Sequence, residues 1–101
     1  MSLTKEQENI TQKELEANLA KSGLSIHEIA ADLGTTDDYI DQLMHLKPLR
    51  IEDTWILRNY LLEKVKESGQ EPTPFTILRV NPRRIWFLNA DYIEGGKITS
   101  R

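Results

Sequence analysis

Apolar residues recur with a helical period along the first two thirds of the chain. Leu15 and Leu19 lie four positions apart, and Ile29 and Leu33 repeat that spacing. Because residues four apart share one face of an α-helix, each pair predicts a helix with one buried side. The next apolar stripe consists of Tyr39, Ile40, Leu43 and Met44. This pattern predicts an all-α fold.

Capping signals set the ends of these helices. Ser25 and Glu28 have the spacing of a capping box, in which each side chain accepts a hydrogen bond from the other residue's backbone, so a helix starts at Ser25. Gly34 ends it, because glycine adopts a positive φ at little cost, and Thr36 caps the next helix. We predict four main helices, Thr11–Ser22, Ser25–Leu33, Thr36–Leu46 and Glu52–Ser68.

The start of the first helix has two candidates. Thr4 with Gln7 and Thr11 with Glu14 both have capping-box spacing. We expect the firmly packed part to begin at Thr11. The residues before it either extend the helix or form a loose arm.

The fourth predicted helix, the longest of the set, has an apolar face wider than one stripe. The residues of this face are Trp55, Ile56, Leu57, Tyr60, Leu61, Leu62 and Val65. Such a face indicates a central packing element, or a helix covered on two sides. Gly69 is expected to end it.

Closely spaced prolines mark the segment that follows. Two of them come directly after a capping residue, which predicts single-turn helices at Pro74–Arg79 and Pro82–Leu88. Two adjacent glycines then predict a small hairpin over Tyr92–Thr99. We divide the chain into a helical unit, residues 1–70, and a short C-terminal extension, residues 71–101.

The extension is too apolar for a free tail, so we expect it to pack on the domain or on a dimer partner. Trp86 and Phe87 are the anchor candidates, since large aromatic residues are enriched at interfaces, and Arg83 and Arg84 precede them. These four residues are the predicted partner-binding set. The alternative is that the aromatic residues close the core of a small domain.

Length and charge narrow the functional classes. A chain of 101 residues supports one domain with a single modest core. Residues 1–46 hold three lysines against nine acidic residues, a net charge of −6, while residues 47–101 hold ten basic residues against seven acidic, a net charge of +3. The overall charge of −3 is atypical of a general nucleic-acid binder, which usually presents a basic surface.

The residue types also disfavour an enzyme. The chain has no cysteine, its two histidines, His27 and His45, are not at metal-ligand spacing, and Ser25 already serves as a cap. We therefore expect no catalytic residue, no cofactor, no metal and no small-molecule substrate. No apolar run is long enough to span a membrane, and the first 21 residues are too polar for a signal peptide, so a cytoplasmic location is expected.

The pair of short helices resembles the helix-turn-helix of the lambda-repressor-like DNA-binding proteins. Ala30, where two helices approach closely, and Gly34, at the turn, carry the resemblance together with four apolar residues. These are Ile29, Leu33, Ile40 and Leu43. Thr35 stands where the pattern usually has an apolar residue. The resemblance implies a lambda-repressor-like helix-turn-helix domain whose second helix enters the major groove.

The chain as a whole resembles a small bacterial family of uncharacterised proteins, domain of unknown function 2316. The segments that carry this resemblance are Glu14-Leu15, Asn18-Leu19-Ala20, Gly23-Leu24, Ala30-Ala31-Asp32-Leu33-Gly34, Trp55-Ile56-Leu57-Arg58 and Trp86-Phe87-Leu88. Membership implies the fold and no activity.

Two functions remain open. If the second helix reads duplex DNA, we predict base contacts from part of its outward face and phosphate contacts from the basic residues beyond it. The predicted set is Thr36, Asp41 and Gln42 for bases, and Lys47 and Arg50 for phosphates. The first interpretation is accordingly a DNA-binding transcriptional regulator, acting as a dimer.

The charge on that helix favours the second interpretation. Asp37, Asp38 and Asp41 repel DNA phosphates, and no lysine or arginine lies between Thr35 and His45. The alternative function is a protein-binding or self-associating module that keeps the fold without the DNA contacts.

Overall fold

Four α-helices make up the regular structure of the computed structural model, which describes residues 4–48, 51–77 and 98. The helices are α1 (Lys5–Ser22), α2 (Ile26–Leu33), α3 (Asp37–Met44) and α4 (Ile51–Glu67). The described residues contain no strand. The predicted all-α class is confirmed.

The first helix begins earlier than predicted. Thr4 is the N-cap, and it forms a capping box with Gln7, whose side chain accepts a hydrogen bond from the Thr4 backbone. Thr11 lies inside the helix, fully buried, and its hydroxyl donates to the Gln7 carbonyl at 2.9 Å. Of the two alternatives left open for the residues before Thr11, extension of the helix is the one observed, and the buried residues of α1 begin at Thr11 as expected. At 18 residues, α1 is one residue longer than α4.

The third helix ends at Met44 rather than at the predicted Leu46. Leu46 has a φ of +59°, and the Lys47 N–H donates to the Gln42 carbonyl at 2.8 Å, across the end of the helix. With the bond from the Leu46 N–H to the Leu43 carbonyl, this is a Schellman motif, which usually has glycine at the left-handed position. No sequence signal marks a leucine there, so the prediction missed it.

The remaining boundaries agree with the prediction to within one residue. Ser25 is the N-cap of α2 in a capping box with Glu28, and Gly34 ends that helix with a φ of +80°. Helix α4 begins at Ile51 and ends at Glu67, each one residue before the predicted position. Gly69, with a φ of +86°, closes it as expected.

A single core joins all four helices. Helix α4 packs against α1 and α3, and α2 packs against α3. The residues of α4 that are buried in this core are Trp55, Ile56, Leu57, Leu61 and Val65. The broad apolar face predicted for α4 is confirmed as a packing surface.

Residues 70–77 form a strap along α1, with neither helix nor strand. Over residues 74–77 the predicted helix Pro74–Arg79 is absent. The Thr76 N–H that such a helix needs for its cap donates instead to the Glu14 carboxylate of α1, at 3.0 Å. Phe75 is buried. The predicted helix Pro82–Leu88 lies outside the described residues, as does the hairpin apart from Ile98.

Replacement of Gly34 by alanine is expected to destabilise the domain by about 1 kcal/mol, because an L-residue is strained at positive φ. A Cβ on Gly34 would lie 3.7 Å from its nearest neighbour, the Ile98 carbonyl oxygen, so the space accepts it. Gly23→Ala is the matched control, since Gly23 has a φ of +72° and nothing within 4 Å of its Cβ position.

Urea unfolding of both variants checks this prediction. Similar losses are expected for the two. A loss at Gly34 several times larger than at Gly23 would contradict it, because a steric clash would then dominate over backbone strain.

Candidate nucleic-acid interface

The candidate site is the exposed face of α3, which the local sequence sets at a turn from α2. Gly34 ends α2, and the Thr36 hydroxyl accepts a hydrogen bond from the Tyr39 N–H at 3.2 Å, which starts α3 two residues later. Four residues bury the opposite face of α3 in the core: Tyr39, Ile40, Leu43 and Met44. Helix α3 therefore has one packed side and one side open to solvent.

The predicted base-contact residues are all accessible to solvent. Thr36, Asp41 and Gln42 are exposed. The Gln42 side-chain amide donates to the Lys47 carbonyl at 3.3 Å, so its nitrogen is held at the carboxyl end of α3. The Thr36 oxygen accepts its bond from the backbone, which leaves its hydroxyl proton to be donated elsewhere.

The predicted phosphate contacts and partner-binding residues are only partly placed. Lys47 is exposed just beyond the carboxyl end of α3. Arg50 lies outside the described residues, and so do all four of the predicted partner-binding residues, Arg83, Arg84, Trp86 and Phe87. Their roles stay predictions.

The face of α2 and α3 that meets solvent is acidic. Its exposed carboxylates are Glu28, Asp32, Asp37, Asp38 and Asp41. No lysine or arginine occurs over residues 22–46. Any polyanion that approaches α3 meets this charge, so a DNA complex would need cations from outside these two helices.

Both histidines lie beside aspartates on this face. The His27 ring nitrogen is 3.1 Å from the Asp37 carboxylate and connects the start of α2 with the start of α3. The exposed fractions of these two side chains, 82% and 54%, show that water screens the pair. The His45 ring bonds to the Asp41 carbonyl at 2.8 Å, near the end of α3.

Two side-chain hydrogen bonds join α2 and α3 to α4, and neither was predicted from the sequence. The Tyr39 hydroxyl on α3 donates to the buried Asp53 carboxylate on α4, and the Tyr60 hydroxyl on α4 donates to Asp32 on α2. Partial burial raises the pKa of Tyr60 above its ordinary value, and the hydrogen bond to Asp32 is the next largest cause of the increase. The tyrosines themselves could have indicated these bonds, since a tyrosine in an apolar stripe needs a hydrogen-bond partner for its hydroxyl.

The described ranges contain neither a membrane-length apolar helix nor a group of three or more His, Cys, Asp or Glu side chains placed to hold a metal ion.

Comparison with known proteins finds one family. The model of a family described as "Uncharacterized protein conserved in bacteria (DUF2316)" matches residues 1–89. Neither a curated protein nor a solved structure matches the chain.

Proposed function

We propose that this chain, which belongs to the family of uncharacterised bacterial proteins matched by its residues 1–89, is a small regulator that contacts duplex DNA. One observation carries the proposal. Helix α3 is packed on one side and open on the other, with Asp41 and Gln42 exposed on the helix and Thr36 exposed at its N-cap. A short helix with one exposed side fits the width of the major groove.

In this proposal the open side of α3 supplies selectivity and the surrounding cations supply affinity. Aspartate accepts a hydrogen bond from the amino group of cytosine, and a glutamine side chain pairs with adenine. Lys47 and Arg50 are the proposed phosphate contacts. Because the acidic face opposes these contacts, the complex is weak and strongly dependent on salt.

A dimer would double the number of phosphate contacts. We propose that the C-terminal extension provides the dimer contact through Trp86 and Phe87, which Arg83 and Arg84 precede. Light scattering on the full chain tests this, with twice the 11.7 kDa mass of one chain as the expected result. A monomer at micromolar concentration would remove the dimer from the proposal.

Titration of a labelled random-sequence duplex, at about 25 mM and again at about 200 mM salt, tests DNA binding directly. We expect binding at the lower salt and a large loss at the higher. Absence of binding at the lower salt would overturn the proposal.

Removing two carboxylates from the site is expected to strengthen DNA binding. The double variant Asp37→Asn, Asp41→Asn should bind about fivefold more tightly at low salt, because two charges that repel phosphates are lost. Glu63→Gln with Glu67→Gln removes the same charge from exposed positions of α4. Equal gains in the two double variants would mean that net charge acts, and not the face of α3.

The acidic face supports a second candidate, a module that binds a basic protein segment. Five exposed carboxylates stand on α2 and α3 with no lysine or arginine over residues 22–46, which suits a lysine-rich or arginine-rich partner. The Asp37→Asn, Asp41→Asn variant distinguishes the candidates, because it should weaken binding of an oligolysine peptide while strengthening binding of DNA. Weaker DNA binding in this variant would contradict the first candidate.

A further inference from the structure

Ile98 is buried at the corner where α2 ends. Only 3% of its surface is exposed, and its side chain belongs to the same core as Leu33 of α2 and Leu43 of α3. Its backbone N–H donates to the Leu33 carbonyl at 2.8 Å. A residue far along the chain thus contacts the carboxyl end of a short helix both by packing and by a hydrogen bond.

This hydrogen bond satisfies a backbone carbonyl at the end of α2 that has no partner within the helix. The last carbonyls of a helix have no partner within the helix. The Ala30 carbonyl accepts from the N–H groups of Gly34 and Thr35, both at 2.9 Å, and the Leu33 carbonyl accepts from Ile98. Ile98 therefore supplies the hydrogen-bond partner of the last carbonyl of α2.

The same residue backs the turn that leads to α3. The Ile98 carbonyl oxygen lies 3.7 Å from the position that a Cβ on Gly34 would take, which is ordinary van der Waals contact. Thr36, the N-cap of α3, follows Gly34 by two residues. The turn that orients α3 relative to α2 therefore lies next to Ile98.

We propose that Ile98 is a positioning residue for α3, acting as a clamp on the turn formed by Leu33, Gly34 and Thr35. Ile98 itself is not proposed to contact DNA. By holding the turn it fixes the open face of α3 relative to α2, so that recognition at α3 depends on a segment distant in sequence. The clamp itself is independent of the proposed function; only its effect on DNA binding depends on that function.

Amide hydrogen exchange on the full chain tests the clamp. In Ile98→Ala, the amides of Gly34 and Thr35 are expected to lose protection by about tenfold, because the local opening that releases the turn becomes easier. The amide of Thr73, which donates to Asn18 at 2.9 Å, is expected to keep its protection.

Phe75→Ala is the matched control, because Phe75 belongs to the strap of residues 70–77 and is buried to a similar extent, with 6% of its surface exposed. This variant should reverse the pattern, with protection lost at Thr73 and kept at Gly34 and Thr35. Ile98→Val retains most of the side chain and should restore most of the protection of the turn.

Three outcomes overturn the clamp. If both alanine variants lose protection uniformly, or if Ile98→Ala unfolds outright while Ile98→Val changes all amides equally, Ile98 is one more residue of a single cooperative core. Protection that does not change at Gly34 and Thr35 would also overturn it, because the turn would then hold without Ile98.

DNA titration at low salt gives the second readout. Ile98→Ala should bind duplex more weakly than Phe75→Ala at a temperature where both variants are folded, because only the first changes the position of α3. If wild-type protein binds no duplex, the proposed function fails, and the exchange pattern still tests the clamp. Equal affinities of the two variants would show that α3 does not depend on Ile98.

Discussion

Replacement of Asn18 by leucine is expected to lower the free energy of unfolding by about 3 kcal/mol. Asn18 is fully buried in α1, and its amide pairs with the backbone of the strap in both directions. Its nitrogen donates to the Thr73 carbonyl at 3.0 Å, and its oxygen accepts from the Thr73 N–H at 2.9 Å. Leucine has a similar volume and no polar atoms, so both Thr73 groups lose their partner.

Thermal unfolding followed by circular dichroism measures the effect, which corresponds to a fall in Tm of about 15 °C for a domain of this size. The control is Glu14→Gln, because a glutamine oxygen can still accept the exposed hydrogen bonds from Thr76. That variant should lose less than about 1 kcal/mol. A loss below that level in Asn18→Leu would mean that the amide pairing does not hold the strap on α1.

Replacement of Ile40 by alanine is expected to cost about 3 to 4 kcal/mol, the range for a buried aliphatic side chain cut back to a methyl group. Ile40 is fully buried on the packed side of α3, in one core with Ile29 and Leu33 of α2. A cavity there removes contacts between the two helices and also from the core beneath them.

Two control variants, also measured by urea unfolding, show whether the loss of stability follows the burial of the side chain. Ile40→Val removes one methylene and should cost about 1 kcal/mol. Gln42→Ala, at an exposed position of the same helix, should cost less than about 0.5 kcal/mol. Equal losses at positions 40 and 42 would contradict the division of α3 into a packed side and an open side.

Helix boundaries followed from the sequence where a familiar local signal marks them, but the end of α3 did not, because a leucine takes the left-handed position there. The Ser25 capping box and the C-terminal glycines Gly34 and Gly69 act within a few residues, so their patterns predicted the ends that the structure has. The start of α1 was ambiguous because Thr4 and Thr11 have the same local signal. Tertiary packing decides it, since Thr11 is fully buried inside the helix.

Contacts between distant residues were beyond sequence reasoning. Nothing near Asn18 or Thr73 indicates that they pair, and Asp53 reads as a solvent-facing residue in the first turn of α4 although only 2% of it is exposed. The exposure of Asp41 and Gln42 was predictable, because the phase of the apolar stripe places them away from it, and Thr36 is exposed as the N-cap, one residue before the helix. The sequence does not reveal which cations surround that face, because this depends on the packing of segments beyond α3.

The most direct test of DNA contact by α3 is an NMR titration of the ¹⁵N-labelled chain with a short DNA duplex at low salt. We expect chemical-shift changes concentrated at the amides of Thr36, Asp41, Gln42 and Lys47, with the exposed positions of α4 around Glu63 and Lys66 unaffected. Changes confined to α1 or α4, or no change anywhere, would contradict the claim that α3 presents a DNA-contacting face.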